Sequence, residues 1–356
     1  MAGVFVFTLF FLHLFGSLEA ASNRGQKLVI DHDGGADDAF AITMSLLYEK
    51  YFNGPKVVAL TTVFGNVNLT QAVINSNRIL RIAGREDIPI YKGAKRSFIA
   101  GIQSDHYFGY DGLGDDGYIA PEPIIVEKEP AAVGLIELSK KYQGELVIIA
   151  LGSLTNIALA ISLDPDFIGR LSHLYVGAGH IYSKQYPKPE FNAEMDVEAY
   201  RVIANNAKLC KVTFVPFSQV HLSLTISNDW RSEVLGAIQT PIMKALTGFE
   251  RISFPSSPNW TLLDPAVAAI VLDPSIVEEF KNTTNSINTC DEFRGITTNY
   301  FLFTKPNSQV MYRANVDRYK QFLLDVYSAE INEVDGLKSD IGDAIQKGFI
   351  KQEALV

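Results

Sequence analysis

Cysteine is nearly missing from this chain: Cys210 and Cys290 are the only two among 356 residues. That count excludes a disulfide-rich scaffold and a thiolate zinc site, and leaves either one disulfide or two free buried thiols. Basic charge is also short, with 31 Lys and Arg against 40 Asp and Glu and a formal net charge of −9. A protein built to grip a nucleic-acid backbone or an anionic membrane carries the opposite balance. A small-molecule enzyme has no such requirement. Past the N-terminal segment no apolar run approaches the ~20 residues that cross a bilayer, and there is no internal repeat or low-complexity linker. What is present is ordinary globular material, 47% hydrophobic and 20% charged, in a chain long enough to bury its core without staples.

The first residues stand apart. Val4 to Phe15 is apolar except for Thr8 and His13, and small residues follow through Ala20, Ala21 and Ser22. A run of about a dozen is short for a membrane span and reads as a signal peptide cleaved near Ala20 to Ser22. It does so without a Lys or Arg ahead of the run. The expectation is a leader over 1–21, one domain over 22–356, and a secreted protein with no membrane attachment after cleavage. Three Asn-x-Thr triplets, at Asn68, Asn259 and Asn282, fit glycosylation on that route.

Apolar runs alternate with helical patterns along the rest of the chain. Strands are expected at Lys27 to Ile30, Lys56 to Val63, Leu146 to Leu151, Leu171 to Val176 and Lys211 to Val215. Helices are expected at Asp37 to Tyr51, Leu69 to Ala83, Ala131 to Lys141, Leu154 to Leu163 and Val197 to Asn205, with a helical tail from Asp317. Strands separated by helices of 10 to 15 residues imply an α/β fold, a mostly parallel sheet covered by helices on both faces. In such sheets ligands bind beyond the carboxyl ends of the strands.

The first strand-to-helix junction is dense in acid. Asp31, Asp33, Asp37 and Asp38 fall within eight residues, around Gly34-Gly35. Asp31 and Asp33 share a strand face by the two-residue period, and Asp37-Asp38 open the next helix, where the dipole favours negative charge. Helix capping accounts for one or two of these carboxylates, not for the set. A phosphate cradle is excluded by electrostatics, because the loop holds no Lys or Arg. A hard divalent cation held through oxygens is the better account, calcium before zinc, since no Cys or His cluster accompanies the acids.

The stretch Asp31-His32-Asp33-Gly34-Gly35-Ala36-Asp37-Asp38-Ala39 resembles the N-terminal signature of the calcium-dependent nucleoside hydrolases, with Gly34 where proline is usual, a change read as conservative for a turn. Other stretches match the family in order: Val63-Phe64-Gly65-Asn66-Val67, Asp111-Gly112-Leu113-Gly114, Leu151-Gly152-Ser153-Leu154-Thr155-Asn156-Ile157-Ala158, Glu190-Phe191-Asn192 and Asp264-Pro265. The likeness covers roughly Lys27 to Asp273. It implies an open α/β fold and hydrolysis of ribonucleosides to base and ribose. It further implies calcium held by Asp33, Asp38, Asp264 and the carbonyl of Leu151, with Asp33 as general base toward a calcium-bound water. Asp37, Asn66 and Asn192 would hold sugar hydroxyls and Glu190 the 5′ hydroxyl. Relatives associate as dimers or tetramers, so a homo-oligomer is expected.

Departures bear on specificity. A subgroup of the family carries a leaving-group His before the late Asp, where this chain has Leu263. Phe108-Gly109 replaces a His-Gly pair, and Lys184 to Pro189 fills the stretch where a second pocket Asn is usual. Without that acid, purines are the expected substrates, because they can be activated by protonation at N7 and by stacking. Phe108, Tyr107, Tyr110 and Trp260 are candidates for the stack, and His106 and His221 for a substitute acid. Two alternatives remain at this point: a nucleoside-binding protein that does not hydrolyse, and an Asp-dependent α/β phosphatase reading Asp31-His32-Asp33 as its strand-end motif.

Overall fold

A computed structural model describes residues 25–302 and 305–346, so the expected leader lies outside the described residues. Six strands alternate with helices through the first two thirds of the fold. β1 is Lys27–His32, β2 Lys56–Thr62, β3 Ile90–Lys92, β4 Leu146–Ala150, β5 His173–Val176 and β6 Val212–Phe214. Their neighbours run in the order β3-β2-β1-β4-β5-β6, all parallel. Chain order reverses at β1, whose two neighbours are β2 and β4. That crevice is where doubly wound sheets bind ligands.

Burial on both faces explains the continuous apolar runs, as at Leu28-Val29-Ile30 and Leu146 to Ala150. On one face pack α1 (Ala36–Phe52) and α2 (Leu69–Ile82); on the other pack α3 (Ala131–Lys141), α4 (Thr155–Leu163) and α5 (Phe167–Arg170). Next come α6 (Phe191–Met195), α7 (Val197–Asn206), α8 (Phe217–Ser223), α9 (Pro241–Phe249) and α10 (Leu263–Leu272). Every residue of α10 is buried. A helix apolar all round can only sit inside the molecule, and α10 lies against α1 with Ala266 and Ala269 allowing close approach. The tail helix α11 (Val316–Gln346) covers α1 through Tyr319, Leu323 and Tyr327, whose hydroxyl donates to the Phe40 carbonyl at 2.8 Å.

The expected helices and parallel strands are present, with ends shifted by a residue or two. A separate two-stranded antiparallel ladder pairs β7 (Ile226–Ser227) with β8 (Asn259–Trp260) across the helical segment between them. Beyond β6 the main sheet continues in a way the sequence pattern did not announce. β9 (Val277–Ile287), β10 (Thr297–Tyr300) and β11 (Ser308–Ala314) extend it in the order β10-β9-β11-β6, with β11 parallel to β6 and the other pairs antiparallel. Two of the three buried β9 positions, Thr283 and Asn285, are polar and only Ile287 is apolar, so the hydrophobic period that betrays a strand is weak. No helix among the described residues is long and apolar enough to cross a membrane. Cys210 and Cys290 are free and both exposed, which corrects the expectation of buried thiols.

Candidate active site

The crevice beside β1 is built from three strand ends. β1 delivers Asp33, β2 leads to Gly65 and Asn66, and β4 leads to Leu151 and Gly152. Asp33 is wedged between glycines: a Cβ on Gly65 would collide with its Oδ2, and one on Gly152 would stand 2.8 Å from its Cβ. The close approach, not turn flexibility, requires glycine there. The Asn66 N–H donates to Asp33 Oδ2 at 2.9 Å. Gly34 holds φ +87, a value closed to proline. Glycine for proline is therefore not the conservative exchange expected; the loop follows a path that proline forbids.

Behind Asp33, Asp31 is tied into the sheet. Its Oδ1 accepts from Thr61 Oγ1 at 2.5 Å and Asn156 Nδ2 at 2.7 Å, and Asn156 also donates to the Thr62 carbonyl. Asp31 thus binds strand to strand and does not face the cavity. His32 is buried with its Nε2 on Ser76 Oγ at 2.9 Å, and burial drives its imidazole down to about 3.

Two helix N-termini converge on the same point. Asp37 and Asp38 lie in the first turn of α1, Asp264 in the first turn of α10. One carboxylate oxygen from each falls within 4.8 Å of the others. Asp38 Oδ2 accepts from the Gly35 N–H at 2.7 Å, closing the helix start. Asp38 Oδ1 and Asp33 Oδ1 are buried without a hydrogen-bond partner, His32 Nδ1 standing 4.0 Å from Asp38 Oδ1. Desolvation by burial pushes all these acids upward: Asp33 to about 6, Asp37 to about 8, and Asp38 and Asp264 well above the usual range, with repulsion from the neighbouring aspartates adding to the rise at Asp37, Asp38 and Asp264. Buried oxygens with no donor, crowded with like charge, are what a hard cation would satisfy. The donors are carboxylates without a thiol or imidazole, so the set fits calcium rather than zinc.

A cavity of about 350 Å³ opens over these acids, within the size range of small-molecule sites. It brings together Asp37, Asn66, Phe108, Leu151, Glu190, Asn192 and Asp264, seven of the expected residues. Asp33 and Asp38 are not part of the lining but are buried next to it, Asp33 on the Asn66 N–H and Asp38 beside Asp37 and Asp264. Glu190 caps α6: its carboxylate accepts N–H groups from Gly179 (2.7 Å), Asn192 (3.1 Å) and Ala193 (3.1 Å), yet burial still lifts it to about 7. The Asn192 amide nitrogen donates to the carbonyls of Leu151 (2.8 Å) and Gly177 (2.9 Å), which leaves its amide oxygen as the group able to meet a ligand. No Lys or Arg lines the cavity among the described residues.

Trp260 does not belong to this wall, and its place in the stack is corrected. The indole is buried edge-on to Phe40, with ring centres 5.5 Å apart, and its N–H donates to Glu250, which also pairs with the buried Arg231. A buried indole takes the orientation that satisfies its N–H, and here the partner lies in the core. Tyr110 projects into solvent against His106, which is itself exposed. His221 is exposed and bonded to Tyr186 Oη at 2.6 Å. Tyr107 and Phe108 do line the cavity. Sequence reasoning missed His180, Phe217, Phe191 and Thr261, which line it as well. His180 stands four residues past the end of β5, at a strand carboxyl end, and that position was the available signal.

Comparisons with known proteins identify the family and the fold. The sequence model of the family described as inosine-uridine preferring nucleoside hydrolase matches residues 28–321. The chain is 37% identical over 185 residues to the probable uridine nucleosidase 2 of Arabidopsis thaliana, covering 50% of this chain and 55% of that protein. It is 25% identical over 316 residues to the inosine-uridine preferring nucleoside hydrolase of Leishmania major, 84% of this chain and 96% of that one. The match thus spans about half the length of the plant uridine nucleosidases and almost all of the protozoan protein. Among solved structures, a plant nucleoside hydrolase superposes with a TM-score of 0.77 at 26% identity, over 85% of this chain and 99% of its own. A purine-preferring ribonucleoside hydrolase from Gardnerella vaginalis has the same fold, with a TM-score of 0.74 at 23% identity over 86% of this chain and 100% of its own.

Proposed function

The chain belongs to the inosine-uridine preferring nucleoside hydrolase family, and from that premise we propose that it hydrolyses the N-glycosidic bond of ribonucleosides to free base and ribose. The observation that carries the reading is the acid cluster at the cavity: Asp37 and Asp264 line it, Asp38 lies with them inside a 4.8 Å group, and the buried Oδ1 atoms of Asp38 and Asp33 have no hydrogen-bond partner. Asp33, Asp38 and Asp264, with the Leu151 carbonyl, would hold calcium, an ion that takes six to eight oxygen ligands. Bound there, calcium supplies positive charge that neutralises the acids and lowers the pKa of water.

Asp33 takes the proton of the attacking water; its Oδ2 is steadied by the Asn66 N–H, and its Oδ1 has no other partner. Asp37, Asn66 and Asn192 bind the sugar hydroxyls, and Glu190, fixed by three backbone N–H groups, binds the 5′ hydroxyl. Cleavage builds positive charge on the ribose. Carboxylates fixed around that ring stabilise the charge without reorganising. The absence of Lys and Arg from the lining, among the described residues, speaks against a phosphate-bearing substrate and hence against the phosphatase alternative.

For the base, the reading is a purine preference, supported by apolar Leu263 and by the rings of Tyr107, Phe108, Phe191 and Phe217 in the wall. The uridine nucleosidases among the relatives favour a pyrimidine instead. A panel of inosine, guanosine, adenosine, uridine and cytidine, assayed for released ribose with calcium and with chelator, decides both points. Ribose from none of them in calcium overturns the hydrolase; a higher kcat/KM for uridine than for inosine overturns only the preference.

The secretory route is part of the same proposal, supported by the apolar N-terminal run and by the exposure of Asn68, Asn259 and Asn282. Expression in a eukaryotic host should put the protein in the medium with a glycosidase-sensitive mobility. Association into homo-oligomers is tested by sedimentation of the same material.

A further inference from the structure

We propose that His180 is the residue that contacts the departing base, donating a hydrogen bond to it as the glycosidic bond breaks. The inference rests on the hydrolase reading above and goes on to name the group that serves the leaving side. Breaking a C–N glycosidic bond sends its electron pair to the base, so the base must gain a hydrogen bond or a proton somewhere in the cavity. Most polar groups in the wall are carboxylates or amides at the floor. His180, Tyr107 and Thr261 are the neutral donors set among its apolar side chains; Tyr107 is 39% exposed at the rim, and the Thr261 hydroxyl is engaged with Thr225 Oγ1 at 2.8 Å.

His180 is mounted with unusual rigidity. The Gly179 N–H is held by Glu190 (2.7 Å), the Gly179 carbonyl by the Phe217 N–H (2.9 Å), and the Ile181 N–H by Ser218 Oγ (2.8 Å). Thr297 Oγ1, from β10, accepts from the His180 N–H at 2.9 Å and donates to its carbonyl at 2.6 Å. The side chain receives none of this attention. Its ring lies between Tyr186 and Phe217, with centres at 5.0 and 6.1 Å, and its Nδ1 is buried with no partner. Tyr186 is in turn fixed by His221. The Lys184 to Pro189 stretch, which departs from the family pattern, thus supplies the back wall of this imidazole. Burial drives His180 down to about 4, so at neutral pH the ring is uncharged and offers one N–H. It acts by hydrogen bonding and keeps its proton: the C1′–N pair passes to the base, the water oxygen joins C1′, its proton goes to Asp33, and the released base is protonated by solvent.

The test compares inosine with p-nitrophenyl β-D-riboside, whose phenolate leaves without help, in wild type and in His180→Phe, which keeps the packing on Tyr186 and Phe217. The expected result is a fall in kcat of about tenfold to a hundredfold on inosine, with the nitrophenyl substrate within about threefold of wild type. His180→Asn, which restores an N–H, should recover part of the inosine rate and covers the case of a Phe variant that does not fold. Equal losses on both substrates, or an unchanged rate on inosine, overturn the proposal. Wild type that cleaves neither substrate overturns the hydrolase reading itself, a result distinct from the other two.

Discussion

Replacing Asp33 by Asn should make the protein more stable without calcium and nearly inactive with it. In the folded chain burial lifts the Asp33 carboxyl from 3.8 to about 6, so keeping it ionised at neutral pH costs about 3 kcal/mol. Between pH 3.8 and 6 the folded state holds more protons than the unfolded one, so stability falls as pH rises and the whole penalty is present above pH 6. Asp31 and Glu190, lifted to about 7, and Asp37, lifted to about 8, extend that decline toward pH 8. In Asp33→Asn the amide oxygen would still accept the Asn66 N–H while the side chain carries no charge. For a domain of this size about 3 kcal/mol corresponds to about 4 °C in Tm. Thermal unfolding in chelator at about pH 7.5 should therefore show the variant melting higher than wild type, with the gap closing toward about pH 4.5. Calcium should stabilise wild type far more than the variant. In activity the variant loses both a ligand and the base, at least about a thousandfold in kcat. A Tm in chelator at or below wild type at about pH 7.5, or activity within about tenfold, would refute the assignment of Asp33 to a repulsive, cation-requiring cluster.

Calcium itself should raise the wild-type Tm by about 4 °C at about a hundred times its Kd, the equivalent of about 2.7 kcal/mol, and chelation should abolish ribose release reversibly. Gly65→Ala forces Asp33 aside, because the new Cβ falls on its Oδ2; kcat should drop by about a hundredfold, and an active Ala variant would contradict the close approach. Trp260→Phe removes the indole N–H from buried Glu250 and should cost about 1–3 kcal/mol in urea unfolding. Its KM for inosine should stay within about twofold; a large rise in KM would return Trp260 to the substrate wall.

The acids of the first junction were legible because local sequence carried them: four carboxylates after an apolar strand have few ways to coexist, and helix starts at Asp37 and Asp264 place charge where a dipole tolerates it. The parallel sheet was legible for a related reason, since strands buried on both faces are written as unbroken apolar runs. Trp260 and His180 show where that legibility stops. An indole is equally at home against a base or in a core, and only the position of Glu250 and Phe40, far away in sequence or across a helix, decides which. A lone His in a Gly-rich stretch has no local signature; its meaning comes from Thr297 on β10 and Phe217 on α8, which fold against it.

Chain order alone therefore determined the alternation of strands and helices, the crowding of acid at the end of β1, and the chemistry such crowding demands. Tertiary structure decided which distant residues complete it. Asp264 reaches the cluster because α10 is apolar enough to be buried against α1. The polar strands β9 and β10 extend the sheet through backbone pairing, which leaves only a weak hydrophobic period to read. The wall around the base is made of loops from separate crossovers. Local pattern encodes what each segment buries; only packing between segments sets what each buried face meets.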